Sequence, residues 1–208
     1  MNQTDSYTPS YVGYHQNLKT KIMRKNQFFT LFLSLYTAAA TAQMTDNTVM
    51  VGGEAMFPQK NIIENAVNSA QHTTLVTAVK AAGLVETLSG PGPFTVFAPV
   101  NDAFENLPAG TVESLMKPDK KAQLTAVLTY HVVPGRYDFD ALTAEIKKGK
   151  GTATLKTAQG GMLRFTMNGK HNIMVWDENG SKANISVYDV YQKNGVIHVI
   201  DAVLLPKM

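Results

Sequence analysis

The sequence predicts an α+β fold in which a largely antiparallel sheet is flanked by several short helices. In the first part of the chain, apolar residues recur mainly at helical spacing. Later, short β-prone runs are separated by the turn pairs Gly160-Gly161, Asn168-Gly169 and Asn179-Gly180. One earlier run, residues 94–98, also has strand character. Helices first and strands later favour α+β over an alternating α/β arrangement.

Helices are predicted where a capping residue precedes apolar residues at helical spacing. Asn61 is expected to cap the first helix, and Gly83 is expected to end a second helix that begins at Thr73 or Thr74. The remaining helices are expected to begin near Leu84, at Asn101, at Thr111, at Pro118 and at Asp138.

Strands are predicted for runs rich in β-branched and aromatic residues that are bounded by turn residues. Trp176 is expected to end a hairpin strand and to be partly buried. Besides residues 94–98, these runs cover residues 130–133, 152–156, 162–167, 172–176 and 183–191.

Residues 194–206 carry the strongest strand signal. Their Asn-Gly start predicts a type I′ hairpin turn, and apolar residues then fall on both alternating faces. A strand that is apolar on both faces belongs in the interior of a sheet. We expect this strand to pair with the strand through Asp189 and to stop at Pro206, which has no N–H for the ladder.

Charge and cysteine content exclude several classes of function. Residues 1–42 contain four of the 19 basic residues and only one of the 16 acidic residues, so the rest of the 208-residue chain is neutral. A neutral domain lacks the basic stripe that a phosphate backbone requires, and no nucleic-acid partner is predicted. The absence of cysteine removes disulfides, thiolate nucleophiles and cysteine-bound metal clusters.

Residues 1–42 are predicted to be a leader. From Met23, a basic head, an apolar run and an Ala-x-Ala ending at Ala42 are typical of a secretory signal peptide. Residues 1–22 precede this pattern, and whether translation starts at Met1 or Met23 stays open. The apolar run is short for a membrane span, so we expect a secreted or periplasmic protein with no stable membrane insertion after cleavage.

The rest of the chain is predicted to form a linker and one domain. Residues 43–59 mix Thr, Asn, Gly and Met without a period, which is typical of a linker. The domain is expected over residues 60–206, a length that is sufficient for a hydrophobic core.

Three segments of this domain carry a family resemblance: Thr95–Phe104, Leu128–Val133 and Asn194–Pro206. In this order they resemble the first conserved block, the Tyr-His motif and the second conserved block of the fasciclin (FAS1) domain. One departure is Val100, where the first block often carries threonine. The structural motif positions are Thr95, Phe97, Pro99, Asn101, Phe104, Gly195, His198 and Asp201.

The resemblance implies a wedge of β-strands flanked by helices and a non-enzymatic role in cell adhesion or matrix contact. The chain is similar to the small secreted single-domain fasciclin proteins of bacteria, and the implied partner is a cell-surface or matrix protein. In animal matrix members, an Asp-Ile pair and the Tyr-His region are linked to integrin binding. The matching residues here, Asp189-Val190 and Tyr130-His131, are therefore the candidate binding residues.

No catalytic site, metal or cofactor is predicted. His131, His198, Asp189 and Asp201 are of types that bind divalent ions, but no His-x-His or His-Glu-x-x-His spacing supports a metal site. Buried polar groups that satisfy one another or the backbone are the favoured interpretation. Neither a Gly-x-Ser-x-Gly elbow nor a phosphate-binding glycine pattern occurs, so an enzyme is not predicted.

Two functions from different classes stay open. The first is a secreted adhesion module that contacts a cell-surface or matrix component. The second is a periplasmic binder of a small apolar ligand, held in a pocket between the helices and the sheet. A deep apolar cavity would favour the second function, whereas a solid core with an exposed patch would favour the first.

Overall fold

The computed structural model describes residues 48–207, and the predicted leader lies outside the described residues. The α-helices in this part are α1 (Ile62–Ala66), α2 (Thr73–Ala82), α3 (Val85–Ser89), α4 (Asn101–Glu105), α5 (Thr111–Leu115), α6 (Lys121–Tyr130) and α7 (Phe139–Lys148). The strands are β1 (Val49–Val51), β2 (Glu54–Met56), β3 (Phe94–Pro99), β4 (Val132–Pro134), β5 (Thr152–Lys156), β6 (Met162–Asn168), β7 (Asn172–Trp176), β8 (Lys182–Gln192) and β9 (Gly195–Ile200).

The later strands form a seven-stranded sheet in the order β4-β3-β9-β8-β7-β6-β5. Its neighbouring strands are antiparallel except β3 and β9, which are parallel. The α+β class with a mostly antiparallel sheet is therefore confirmed. No helix within residues 48–207 is long and apolar enough to cross a membrane.

Strand β9 occupies the interior of this sheet, as predicted, and every one of its residues is buried. It pairs with β3 on one side and, as predicted, with β8, the strand through Asp189, on the other. Ile197 and Val199 belong to a core formed with helices α1, α2, α3 and α6. Ile200 belongs to a second core formed with α7 and strands β5 to β8. The strand thus separates two cores and contributes to both.

The predicted type I′ turn at Asn194-Gly195 is wrong. Gln192 pairs with Gly195, so the loop residues are Lys193 and Asn194, and neither Asn194 nor Gly195 has a positive φ angle. Gly195 is needed for close packing instead, because a Cβ on it would lie 2.1 Å from the carbonyl oxygen of Phe94. A side chain at this position would therefore force β3 and β9 apart.

Asn194 connects the strand to the helices through its side chain. Its Oδ1 accepts a hydrogen bond of 3.0 Å from the Ile62 N–H at the start of α1. Its Nδ2 donates to the carbonyl oxygens of Leu88, at 2.8 Å, and Gly90, at 2.9 Å. This buried amide satisfies three backbone groups that would otherwise lack partners in the interior.

The expected end of the pairing at Pro206 is also wrong, because β9 ends at Ile200. The chain bends at Asp201, whose side chain binds Asn184 on β8. Beyond the bend, Leu204 is fully buried in the second core without belonging to a strand. The apolar character of this segment therefore reflects packing of an irregular tail and not ladder formation.

The linker predicted over residues 43–59 is wrong from Val49 onward. Strands β1 and β2 form an antiparallel hairpin there. Val51 and Met56 are buried in the first core, whereas Met50 on the other face is exposed. The two strands are only three residues long each, and the glycines of the turn between them interrupt the alternation of apolar and polar residues in the sequence.

The strand predicted over residues 130–133 begins two residues later than expected. Tyr130 is the last residue of α6, His131 follows as its C-cap, and β4 starts at Val132. The two motif residues thus lie at a helix end. The apolar residues of α6 that precede them pack on the first core. This packing keeps Tyr130 in the helix although the motif residues have β propensity.

Some predicted caps differ from the observed ones. Asn101 does not cap α4, whose N-cap is Val100 without a side-chain hydrogen bond. The Asn101 Oδ1 accepts the Thr74 N–H at 3.1 Å instead, so it caps the neighbouring helix α2. Likewise, α5 is preceded by Gly110 and not capped by Thr111, its first residue. Pro118 opens a 3₁₀ turn that leads into α6.

Several local predictions are confirmed. Asn61 and Glu64 form a reciprocal capping box at α1, and Gly83 takes a left-handed conformation at the end of α2. Asp138 caps α7 by accepting the Ala141 N–H at 2.9 Å. Strands β5, β6, β7 and β8 match their predicted positions within one residue at each end.

We expect replacement of Ile200 or Ile197 by Ala to lower the free energy of unfolding by ~2–5 kcal/mol. Ile197 lies in the core on one face of β9, and Ile200 lies in the core on the other face. Each substitution therefore removes buried apolar side-chain atoms from one of the two cores. Chemical denaturation measures the effect.

The matched control is Met50→Ala, because the Met50 side chain is 60% exposed on β1. It should change the free energy of unfolding by less than about 1 kcal/mol. A similarly small change for Ile200→Ala would show that β9 is not central to stability.

Candidate functional site

Tyr130 lies inside the domain and links α6 to the sheet. Its hydroxyl donates a hydrogen bond of 2.8 Å to the Met162 carbonyl and accepts one of 3.1 Å from the Glu178 N–H. Burial raises the pKa of Tyr130 to about 12. The neutral phenol therefore holds the start of β6 and the turn after β7 together at any physiological pH.

His131 is 3% exposed and uses both ring nitrogens for structure. Its Nε2 accepts the Leu204 N–H at 3.0 Å, so its Nδ1 carries the proton and donates to the Val127 carbonyl at 2.8 Å. Burial lowers the pKa of His131 to about 4. This neutral imidazole anchors the irregular C-terminal segment to helix α6.

His198 on β9 is also buried and neutral. Its Nε2 donates to the Tyr137 carbonyl at 2.7 Å, and its Nδ1 lies 3.4 Å from the Asp189 N–H. The ring stacks on Phe97, with 5.5 Å between centroids. Burial lowers the pKa of His198, although hydrogen bonding to Tyr137 opposes this shift. The group acts as a connector between β8, β9 and the loop before α7.

Asp189 lies where β8 departs from regular pairing with β9. Its φ angle of 56° is left-handed, and its Oδ1 accepts the Phe139 N–H at 2.8 Å. Asp189 and Asp138 thus both satisfy N–H groups in the first turn of α7. Burial raises the pKa of Asp189, and this hydrogen bond to Phe139 opposes the shift.

The four residues considered for a metal do not converge. His198 and Asp189 are neighbours, but His131 contacts the C-terminal tail, and Asp201 accepts hydrogen bonds of 2.7 and 2.8 Å from Asn184. Within residues 48–207, no group of three or more His, Asp or Glu side chains is placed to hold a metal ion. Each group has partners of its own, as a structural role requires.

The motif positions of the first block are structural in the same way. The Thr95 hydroxyl donates to the Gly135 carbonyl at 2.8 Å and accepts the Tyr137 N–H at 2.9 Å. Phe97 is fully buried between the rings of Phe165 and His198. Pro99 is the buried last residue of β3, and Phe104 packs half-buried in a small third cluster.

Three of the four candidate binding residues are therefore unavailable to a partner in this conformation. Tyr130, His131 and Val190 are buried, and Asp189 is half-buried. A surface for direct contact has to be sought elsewhere in the domain.

The outer sheet face is the broad exposed surface of β5, β6, β7 and β8. Alternate residues of these strands pack inward against α7 and the second core. The others point away from that core and are exposed or half-buried. The outer sheet face consists of Thr152, Thr154, Lys156, Met162, Arg164, Thr166, Asn168, Asn172, Met174, Trp176, Lys182, Asn184 and Ser186.

A row of cross-strand neighbours crosses this face through Arg164, Trp176 and Lys182. The Arg164 Cζ lies 4.9 Å, and the Lys182 Nζ 6.0 Å, from the centroid of the indole ring between them. The indole Nε1 donates to the Thr166 hydroxyl at 3.0 Å, which fixes the ring. Trp176 is half-buried, as predicted, and orients two cations.

The cations of the outer sheet face have no anionic partner in the described part of the chain. The ion pair found there joins Lys148 and Glu145 on α7, so Lys156, Arg164 and Lys182 are all unpaired. No strand position of the face carries a carboxylate. The acidic residues Glu178 and Asp201 lie at its border and bind the backbone N–H groups of Met162 and Asn184. The face is therefore cationic although the domain as a whole is neutral.

Sequence reasoning missed this face because it treated each strand separately. A signal was available in the sequence: polar or aromatic residues stand at alternate positions of strands that are joined by short turns. Counting outward from the Asn168-Gly169 and Asn179-Gly180 turns places Arg164, Trp176 and Lys182 side by side.

An apolar cavity of about 80 Å³ lies between the helices and the sheet. Its lining is almost entirely aliphatic, and the few polar side chains include Ser69 and His72. The Ser69 hydroxyl lies 2.8 Å from His72 Nδ1. Burial lowers the pKa of His72, so this ring is neutral as well. The space is on the order of half the volume of an engineered cavity that admits benzene.

Comparison with known proteins shows that residues 70–206 match the fasciclin domain family. The Synechocystis sp. protein named "Protein sll1483" is 44% identical over 172 residues, which cover 82% of this chain and 87% of that protein. The cell surface glycolipoprotein MPB83 of Mycobacterium bovis is 32% identical over 160 residues, which cover 74% of this chain and 64% of the glycolipoprotein.

Human periostin is 33% identical over 153 residues, so the match covers 71% of this chain but 16% of periostin. Among solved structures, a FAS1 domain pair from the insect cell adhesion molecule Fasciclin I superimposes with a TM-score of 0.62 at 21% identity. That match covers 72% of this chain and 52% of the pair. It shows that the folds are alike.

We expect the domain to lose stability as the pH falls from 6.5 towards 4. In the unfolded chain His131 takes up a proton near pH 6.5, whereas in the folded domain it does so at about pH 4. The unfolded state therefore binds more protons in this window, which favours unfolding. Urea denaturation across this pH range measures the effect, and His131→Gln should reduce its slope by up to about 1.4 kcal/mol per pH unit.

His171→Gln is the matched control, because His171 is an exposed residue between β6 and β7. This substitution also replaces one imidazole by an amide, but at the surface of the domain. An equal slope for the His131 variant and the unmodified chain would contradict the assignment of a neutral, buried His131.

Proposed function

Since the chain belongs to the fasciclin domain family, we propose that it is a secreted, non-enzymatic adhesion module that contacts a cell-surface or extracellular-matrix component. The predicted leader over residues 1–42 supports export. Relatives described as a cell surface glycolipoprotein and a cell adhesion molecule support the surface role. The partner meets the domain on the outer sheet face.

The observation that carries this proposal is the row of unpaired cations on an exposed surface of the sheet. Arg164 and Lys182 are held against Trp176 without an anionic partner in the described chain. Buried charge would require pairing within the domain, but exposed and oriented cations are available to an external partner.

The buried motif residues support this surface from within. The Tyr130 hydroxyl binds the backbone at Met162 and Glu178, the positions that begin β6 and follow β7. It therefore fixes the two strands that carry Arg164 and Trp176. In the proposed function Tyr130 is a positioning residue and does not touch the partner.

Beads coated with the purified chain should bind cells or cell-envelope fragments of the producing organism. Replacing both Arg164 and Lys182 by Ala should abolish most of this binding, because it removes the two oriented cations. Bead retention counted under flow, together with the denaturation midpoint of each variant, separates lost contact from lost folding.

The matched control removes two cations elsewhere. Lys117 and Lys147 are exposed outside the sheet, so the variant with Ala at both positions has the same net charge as the test variant. It should bind like the unmodified chain. Equal loss of binding in both variants would show that net charge alone determines the binding. The adhesion proposal would be overturned if the coated beads were retained no better than beads coated with an unrelated secreted protein.

A second candidate function, the binding of a small apolar molecule, is favoured by the cavity between the helices and the sheet. Its wall is formed by side chains such as Val79, Leu88 and Ile197. At about 80 Å³ it admits a few heavy atoms without movement of the helices. A lipid tail would require α1 and α2 to separate from the sheet.

Native mass spectrometry of the chain purified from its own organism tests this second candidate. A stoichiometric apolar adduct that is missing from Ala66→Leu would support it, since Ala66 lines the cavity and the larger side chain fills it. An adduct-free spectrum, with Ala66→Leu more stable than the unmodified chain, would identify an empty packing defect.

A further inference from the structure

We infer that the outer sheet face binds an acidic polysaccharide, a sugar polymer that carries carboxylate or sulfate groups along its length. This inference rests on the proposed function and names the chemical class of its partner. It follows from the spacing of the cations and from the neutral polar groups between them.

The cations are distributed across the sheet and not clustered at one point. Lys156 lies on β5, Arg164 on β6 and Lys182 on β8. Adjacent strands are about 4.8 Å apart, so the backbones at Arg164 and Lys182 are separated by about 10 Å. A polymer that lies across the strands would meet successive cations, which suits a ligand with anionic groups at intervals.

Neutral hydrogen-bonding groups occupy the remaining positions except those of Met162 and Met174. The side chains of Thr154, Asn168 and Asn172 are exposed and make no hydrogen bond within residues 48–207. Hydroxyl and amide groups can both donate and accept, as sugar hydroxyls do. A surface of this composition can bind the sugar units between the charged groups.

The same composition disfavours other anionic partners. A protein partner would require an apolar centre, but the indole at the centre of the face is half-buried and flanked by two cations. A membrane would require apolar side chains that insert, and Met162, at 40% exposure, is the large apolar side chain most exposed on the face.

Surface plasmon resonance with immobilised polygalacturonate tests the inference on the purified chain. We expect binding that weakens between about 0.05 M and about 0.5 M ionic strength, and no binding to neutral dextran. Replacing Arg164 and Lys182 by Ala should weaken binding at least about tenfold, which corresponds to about 1.4 kcal/mol. The variant with Ala at Lys117 and Lys147 should bind within about twofold of the unmodified chain.

A further pair of variants separates geometry from charge. Trp176→Phe keeps an aromatic platform for the two cations, whereas Trp176→Ala removes it at constant net charge. Loss of binding in the Ala variant and retention in the Phe variant support an oriented site. If Trp176→Ala does not fold, as judged by its denaturation curve, the Arg164 and Lys182 variant decides alone.

Three outcomes would overturn the inference: no binding to polygalacturonate, equal binding by the Arg164 and Lys182 variant, or equally tight binding of polyglutamate or anionic phosphatidylglycerol vesicles. These outcomes are distinguishable from failure of the proposed function. If bead retention on cells depends on Arg164 and Lys182 but is not inhibited by soluble polygalacturonate, the adhesion function is supported and the polysaccharide partner is rejected.

Discussion

The fold depends on burying β9 on both faces and along both edges. Its parallel contact with β3 is close enough that Gly195 leaves no room for a Cβ, and its antiparallel contact with β8 continues the sheet on the other side. The helical core lies on one face and the strand-and-α7 core on the other. Because a single strand divides these cores, errors in its register would disturb both of them.

This central position explains why the interior contains polar side chains that bind backbone groups. Irregular segments enter the core beside β9, and their N–H and carbonyl groups need partners. The neutral rings of His131 and His198 and the amide of Asn194 supply them. Histidine and aspartate in a family motif can therefore be architectural, and a backbone partner for each nitrogen is what distinguishes this case from a metal site.

Local signals predicted most of the elements, whereas long-range contacts decided what the individual polar residues do. The capping box of Asn61 and Glu64 is a contact between residues three apart, so the sequence alone reveals it. Asn194 has equally local turn character, yet its side chain binds Ile62, which is 132 residues away. The outer sheet face depends on strand register in the same way, since Arg164, Trp176 and Lys182 become one row only after β6, β7 and β8 have paired.

The position of Trp176 has an optical consequence. It is the one tryptophan of the 208-residue chain, and its ring lies between the two cations of the outer sheet face. Indole emission is sensitive to nearby charge and to water, so any ligand that draws Arg164 or Lys182 away from the ring changes the fluorescence of the whole protein. The domain thus contains an intrinsic, label-free reporter at the proposed binding surface, with no second tryptophan to obscure its signal.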